Sequence, residues 1–143
     1  MSRPRLRADD GFTLVELLVV ILILGVLAAL SLALLLGQRT KAHDTHAKTA
    51  ATTAAKAATA FGTDHGAFDA LDATELVKVE KSLEAARNLQ VEGAGKTFTV
   101  SVDSAAGTTY SVSRSADGEL TRDCTPAGSG SCRDDLDAHG NRW

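Results

Sequence analysis

The sequence has few aromatic residues and no excess of positive charge. Only 4% of its 143 residues are Phe, Trp or Tyr, and the formal net charge is -3. A surface that binds nucleic acid usually carries a basic patch with aromatic side chains nearby. The composition therefore gives no reason to expect nucleic acid or an anionic membrane surface as a partner, and it favours protein partners.

Motifs of the common enzyme classes are also missing. The serines occur without a nucleophile elbow, a P-loop or a metal-hydrolase motif, and no repeat has the spacing of a solenoid or propeller. His43 and His46 could share one helix face, but without further ligands we interpret them as solvated side chains. We therefore expect neither an enzyme nor a cofactor.

A long apolar run is the most prominent feature that is present. No residue between 17 and 36 is charged, and Gly25 and Ser31 are its only interruptions. As a helix, this run would be about 30 Å long, which matches the hydrocarbon core of a bilayer. The rest of the chain is too short to cover so apolar a helix in a soluble core. The run therefore predicts a membrane-spanning segment, residues 12–36.

Two simpler interpretations of this run are less consistent with the sequence. A secretory signal peptide has a shorter apolar stretch before a small-residue cleavage site. Ser31-Leu32-Ala33 could imitate such a site, but the run is already too long and continues to Leu36. A plain anchor would not explain Glu16, since a carboxylate costs about 2.5–3.5 kcal/mol at the centre of a span and less near its edge.

The stretch GFTLVELLVVILILGVLAAL, residues 11–30, resembles the N-terminal cleavage and methylation segment of type IV pilins and of the pseudopilins of type II secretion. The resemblance implies that a prepilin peptidase removes a leader, residues 1–11, by cutting between Gly11 and Phe12. It also implies methylation of Phe12 and packing of the apolar helix into a filament of identical subunits, with help from an inner-membrane assembly platform. The expected location is the cytoplasmic membrane before assembly, as a single-pass protein, and a surface or envelope filament afterwards.

Glu16 matches the acidic residue that the family carries four positions after the Phe. Cleavage creates a charged amine at Phe12, and a buried charge is tolerated only when it is paired. Glu16 of one helix could meet the amine of a neighbour and set the axial register, as a lone polar residue does in a coiled coil. One departure is Ala33, near the position where many members have a proline, and without that proline we expect a straighter helix.

Small residues indicate that the helix continues through residues 37–61. A stripe at helical spacing contains the following residues: Ala47, Ala51, Ala54, Ala58 and Phe61. Such a stripe suits close packing against a sheet or a neighbouring subunit. The alternative is a low-complexity Ala/Thr linker. Gly62 is expected to end the helix, and residues 62–70 are expected to form a loop.

Residues 62–143 are predicted to form a globular head. Asp72 is a plausible N-cap with Glu75 three residues later, followed by a short helix with a core face of Leu76, Val79 and Leu83. Leu71 and Leu76 occupy the positions of a hydrophobic staple.

After a predicted loop at 92–95, two alternating runs indicate strands. Their inward residues would be Phe98, Val100 and Val102 in the first run, and Tyr110 and Val112 in the second. Asp117-Gly118 would turn the chain into a strand around Leu120. The predicted fold class is α+β: a long N-terminal helix, whose first half spans the membrane, and a head of one short helix with a three- to four-stranded antiparallel sheet.

Cys124 and Cys132 close a short loop near the C-terminus. In a part of the chain that is exported, this spacing predicts a disulfide. A zinc site is the alternative, but with His139 it would still lack a fourth ligand. The acidic residues that follow, Asp134, Asp135 and Asp137, could offer oxygen ligands to calcium, as C-terminal acids do in some pseudopilins. Their spacing matches no calcium loop, so we expect a solvated tail and no metal site.

These features favour a structural subunit of a type IV pilus. The alternatives are a pseudopilin of a type II secretion system, or a minor pilin that binds DNA or a surface ligand. Loss of the leader would leave 12 basic and 16 acidic residues, which disfavours capture of DNA.

Overall fold

The structure is a computed structural model that describes residues 11–143. The predicted leader lies outside the described residues apart from Gly11. The chain divides between Gly37 and Gln38 into two units, and each unit is described by itself. The second unit, Gln38–Trp143, contains the predicted head together with the second part of the long helix, and it is called the head below. One helix, α1, Leu14–His65, begins in the first unit and ends in the second.

The predicted helix end at Gly62 is wrong. Helix α1 continues to His65 and ends before Gly66, which has φ +78° and donates its backbone N–H to the Gly62 carbonyl. Gly62 instead allows close packing, because an ideal Cβ there would lie 2.3 Å from Cε1 of Phe68. The expected loop at 62–70 is therefore shorter, since its first four residues are helical.

The short helix of the head is confirmed, but its core face differs from the prediction. Helix α2, Ala73–Val79, is capped by the Asp72 carboxylate, which accepts a hydrogen bond from the Glu75 N–H at 2.8 Å. Both staple residues, Leu71 and Leu76, are buried. Val79, the last residue of α2, is 48% exposed and does not belong to the core face.

A 3-10 helix, Lys81–Ala85, follows α2 after Glu80. Its tighter winding changes the direction of successive side chains relative to an α-helix. Leu83 is buried in it, as predicted, although it does not lie on the same helix as Leu76.

Four antiparallel strands form one sheet in the order β1-β2-β3-β4. Their bounds are β1 Gln90–Ala94, β2 Thr97–Asp103, β3 Thr109–Arg114 and β4 Leu120–Thr125. The predicted inward residues of the two alternating runs are all buried. The turn at Asp117-Gly118 is also confirmed, with Gly118 at φ +90° and the Ser115 N–H donating to the Glu119 carbonyl.

The predicted loop at 92–95 is mostly strand. Glu92, Gly93 and Ala94 belong to β1 and pair with β2, with Gly93 opposite Phe98. Val91 is the only large apolar residue of β1, so the strand has no alternating pattern that the sequence could reveal. Gly93 is required by packing, since a Cβ there would lie 2.1 Å from the Phe68 carbonyl oxygen.

The core of the head forms where the alanine stripe of α1 meets the sheet. All five predicted stripe residues are buried, and they belong to one apolar cluster with the inward side chains of β2 and β3. The Phe68 and Phe98 rings pack edge to face in the same cluster, with centroids 5.0 Å apart. Alanine lets the helix backbone approach the sheet closely, which explains the small residues of this stripe.

Candidate processing and assembly site

The predicted cleavage site lies just outside the first turn of α1. Residues 11–13 precede the helix, and Phe12 is 83% exposed. A Cβ built on Gly11 would meet no atom of the described chain within 4 Å. The fold of residues 11–143 therefore does not itself require glycine at this position, and a requirement for it would come from an enzyme that binds the segment.

Glu16 takes part in a capping box that sequence reasoning missed. The Glu16 N–H donates to Thr13 Oγ1 at 3.2 Å, and the Thr13 N–H donates to Glu16 Oε2 at 3.5 Å. The Thr13 hydroxyl also lies 3.4 Å from Glu16 Oε2. The signal was present as Thr-x-x-Glu at the start of an apolar run. These distances are at the long end of hydrogen bonding, so the carboxylate is held only loosely.

The residues after this cap form one apolar, uncovered surface. The window Leu14–Ser31 has a mean hydropathy of 2.8, and none of it is buried. Its one hydroxyl is satisfied, because Ser31 Oγ donates to the Leu27 carbonyl at 2.8 Å. By length and composition this helix can cross a membrane, although a signal sequence would meet the same criteria. An apolar surface of this size needs lipid or other helices to cover it.

In the head, a buried carboxylate links α1 to two loops. Asp44 is fully buried, and its Oδ1 accepts a hydrogen bond from the Ser104 hydroxyl at 2.6 Å. Its Oδ2 accepts from the Ser131 N–H at 2.9 Å, inside the loop that the two cysteines close. Asp44 therefore connects two segments to the same part of α1. One is the turn between β2 and β3, and the other is the loop that the two cysteines close. A single Asp in a polar helix segment gives no sequence signal for this role.

Lys48 lies one helix turn after Asp44 and contacts the same loop. Its Nζ donates to the Ser131 carbonyl at 2.9 Å and lies 5.1 Å from the centroid of the Tyr110 ring. Burial lowers the pKa of Lys48, and the nearby Asp44 carboxylate partly offsets this effect. The positive charge of Arg133 lowers the same pKa further.

Tyr110 is the most strongly perturbed titrating group in the head. Burial of its ring, followed by the negative charge of Asp44, raises the pKa of Tyr110 to about 12. Its side chain is fully buried, and within the described residues no hydrogen bond of good geometry satisfies its hydroxyl. Burial therefore keeps the phenol neutral to a higher pH than in a solvent-exposed tyrosine.

The predicted disulfide between Cys124 and Cys132 is present, with Cα atoms 5.7 Å apart. The tail that follows folds back on β4: the Arg142 N–H donates to the Arg122 carbonyl, and Trp143 Nε1 donates to the Asp123 carbonyl at 2.8 Å. The last residues thus cover the edge of β4, a role for Trp143 that the sequence did not reveal.

The three acidic residues of the tail differ in role. Asp137 accepts hydrogen bonds from the N–H groups of Asn141 and His139, both at 2.8 Å, and these bonds lower its pKa, with Asn141 the larger cause. Asp134 and Asp135 are exposed. Between residues 11 and 143, no three His, Cys, Asp or Glu side chains converge on a position that could hold a metal ion.

The predicted site residues thus fall into two groups. Gly11, Phe12 and Glu16 lie together at the start of α1, whereas Cys124 and Cys132 belong to the other unit. The first group can be bound by an enzyme from outside and offers a carboxylate to an amine. The second group stabilises a loop and carries no reactive thiol, since the described chain has no free cysteine.

Comparison with known proteins agrees with this geometry at the N-terminus. The family model described as the prokaryotic N-terminal methylation motif matches residues 6–32. No curated protein matches the chain, and no solved structure matches it. The motif points to a structural protein rather than an enzyme, and together with the apolar helix it fits a membrane-anchored pilin-like protein. The chain therefore carries, at its N-terminus, the prepilin-type signal of type IV pilins and pseudopilins.

Proposed function

We propose that the chain is a structural subunit of a type IV pilus, processed by prepilin peptidase after Gly11 and methylated at Phe12. The observation that carries the proposal is the start of α1, where an accessible Gly11-Phe12 bond precedes an uncovered apolar helix with one acid, Glu16, in its first turn. The matched methylation motif supports a pilin-like protein or a pseudopilin.

The capping box gives the proposed assembly step a physical basis. Cleavage leaves an ammonium group on Phe12, and methylation keeps its positive charge. When the helix leaves lipid to pack among other helices, that charge needs an anionic partner in a medium of low dielectric. The loosely held Glu16 carboxylate of a neighbouring subunit can supply it, and the pair would fix the axial register between the two helices.

Substitutions at two positions separate this role of Glu16 from helix capping. Glutamine is accepted in a capping box, so Glu16→Gln keeps the cap and removes only the charge. We expect Glu16→Gln and Glu16→Ala to insert into the membrane normally and to abolish surface filaments. Thr13→Ala breaks the cap but keeps the carboxylate, and we expect it to assemble filaments. Filament yield at equal membrane levels is the measurement, and wild-type yield from Glu16→Gln would refute the charge-pairing mechanism.

Processing is tested by mass spectrometry of protein from its native host. We expect a mature N-terminus at methylated Phe12. Gly11→Leu should block the cut while leaving the fold unchanged, because the described chain leaves space at that position. An intact start at Met1, or cleavage after Ala33, would contradict the proposal.

A pseudopilin would be processed in the same way but would not form long surface filaments. Electron microscopy with an antibody to the head distinguishes the two. Label along long filaments supports a major pilin. Label that stays in the membrane supports the pseudopilin, and label only at filament tips supports a minor pilin.

A further inference from the structure

A groove of about 460 Å³ lies in the head between α1, the 3-10 helix and β2. Its floor is apolar and includes Ala47, Ala50 and Leu83. His43, His46 and Arg87 also line it and are exposed. The groove thus combines apolar surface with groups that can donate hydrogen bonds or carry positive charge.

The Arg87 guanidinium at this groove is exposed, and the charge of the nearby Asp103 carboxylate acts on it. Within the described part of the chain, no hydrogen bond or ion pair engages the Arg87 guanidinium. Asp103 lines the same groove, but its two oxygens already accept hydrogen bonds from Asn88 at 2.8 Å and from Thr109 at 2.6 Å. The chemistry of the groove therefore fits an apolar side chain that is flanked by carboxylates.

The tail of the same chain presents such a side chain. Leu136 is 55% exposed and lies between Asp135 and Asp137, with Asp134 one residue earlier. It is more exposed than Val79 and Leu120, the other large apolar residues that the described head exposes. The segment is held in place by backbone hydrogen bonds from Arg133 to the Arg142 carbonyl and from Asp137 to the Asn141 carbonyl. A segment ordered in this way loses little conformational entropy when it binds.

The groove and the tail involve different strands of the sheet. The groove is formed by β2 and by the 3-10 helix that leads into β1, whereas the tail is hydrogen-bonded to β4. A contact between two different surfaces is heterologous, and such contacts build rings or open helical filaments rather than two-fold dimers.

We propose that Leu136 of one subunit, with its flanking carboxylates, docks into the groove between α1 and the 3-10 helix of the next subunit, beside Arg87. This inference rests on the proposed filament function and names one of its head-to-head contacts. The area of a single docked leucine and its neighbours is below that of an independently stable interface, so the contact acts together with helix packing.

Cysteine cross-linking between two kinds of subunit tests the contact. Ala85 is exposed and lines the groove. Ala138 is also exposed and lies two residues after Leu136. Cells produce one full-length copy with Ala85→Cys together with another with Ala138→Cys, so that Leu136 is kept, and the filaments are oxidised mildly. The native cysteines are already paired, so only the new thiols react. We expect a cross-linked dimer from this pair. We expect none from the matched pair Ala116→Cys with Ala138→Cys, because the exposed Ala116 lies outside the groove.

A charge exchange provides a second measurement. Arg87→Glu in the Ala85→Cys copy should abolish the cross-link, and adding Asp135→Lys to the Ala138→Cys copy should restore it. Filaments that contain the Cys pair but show no cross-link would overturn the inference and leave the proposed function intact. Absence of filaments from the wild-type chain would overturn the proposed function, and the inference would fail with that function. Electron microscopy detects this outcome independently of the cross-link.

Discussion

Helix α1 uses its apolar residues in opposite ways in the two units of the chain. In the window Leu14–Ser31 large side chains are uncovered, and Leu22 is 62% exposed. In the head, the same helix buries alanines, and Ala54 is fully buried. Burial in this helix therefore does not follow the hydrophobicity of each residue. It follows which parts of the helix this chain covers with its own sheet and which parts it leaves uncovered.

The same leucine-to-alanine change should have opposite consequences in the two units. Leu76→Ala removes a fully buried side chain and should lower the free energy of unfolding of the head by about 2–5 kcal/mol. Leu22→Ala, the matched control, should leave that free energy unchanged. Denaturant unfolding of the full chain in detergent, followed by the head's near-ultraviolet circular dichroism, measures both. Equal effects would contradict the division into two units.

The disulfide should stabilise the head alone. Replacing both Cys124 and Cys132 by serine should lower the free energy of unfolding by about 2–3 kcal/mol, because the unfolded loop is no longer closed. Membrane insertion and cleavage before Phe12 should remain as in the wild type. Maleimide labelling without reductant provides a check, since neither thiol of the exported wild-type protein should react. Reaction of both thiols would show that the exported protein lacks the disulfide.

Two glycines of α1 offer a smaller but equally direct comparison. Gly62→Ala places a Cβ against the buried Phe68 ring and should destabilise the head by about 1–3 kcal/mol. Gly25→Ala meets nothing within 4 Å in the described chain and should leave the unfolding of the head unchanged. Thermal unfolding of the two variants side by side measures the difference. If Gly62→Ala left the stability of the head unchanged, the Phe68 ring would have to move aside, which would contradict the tight packing at Gly62.

The smallest effect at neutral pH concerns Tyr110, the only tyrosine of the chain. Its pKa is raised from 10.0 to about 12, so the folded head holds the phenolic proton more tightly than the unfolded chain does. This contribution to stability is complete below about pH 10 and is lost as the pH rises toward 12. Absorbance titration of the phenolate should show the raised value, and Asp44→Asn should lower it. Ionisation near pH 10 in the wild type would contradict the buried position.

Local patterns in the sequence were sufficient for much of the fold. The cap at Asp72, the alternation in β2 and β3 and the alanine stripe each depend on neighbours within a few residues, so the sequence alone predicted them. The apolar run and the Gly11-Phe12-Glu16 pattern were equally local. The capping box at Thr13 could have been found in the same way.

Other features depended on contacts between distant parts of the chain. Gly62 does not end α1, and its lack of a side chain instead makes room for the Phe68 ring. Strand β1 forms because β2 provides a partner, although its own residues hardly alternate. Asp44 is buried because Ser104 and Ser131 bring hydrogen-bond donors to its carboxylate from 60 and 87 residues away. The sequence by itself thus determined the processing signal and the apolar helix, because both are local patterns. Only the tertiary structure decided which polar groups are buried and where the groove beside Arg87 lies, because both depend on distant residues coming together.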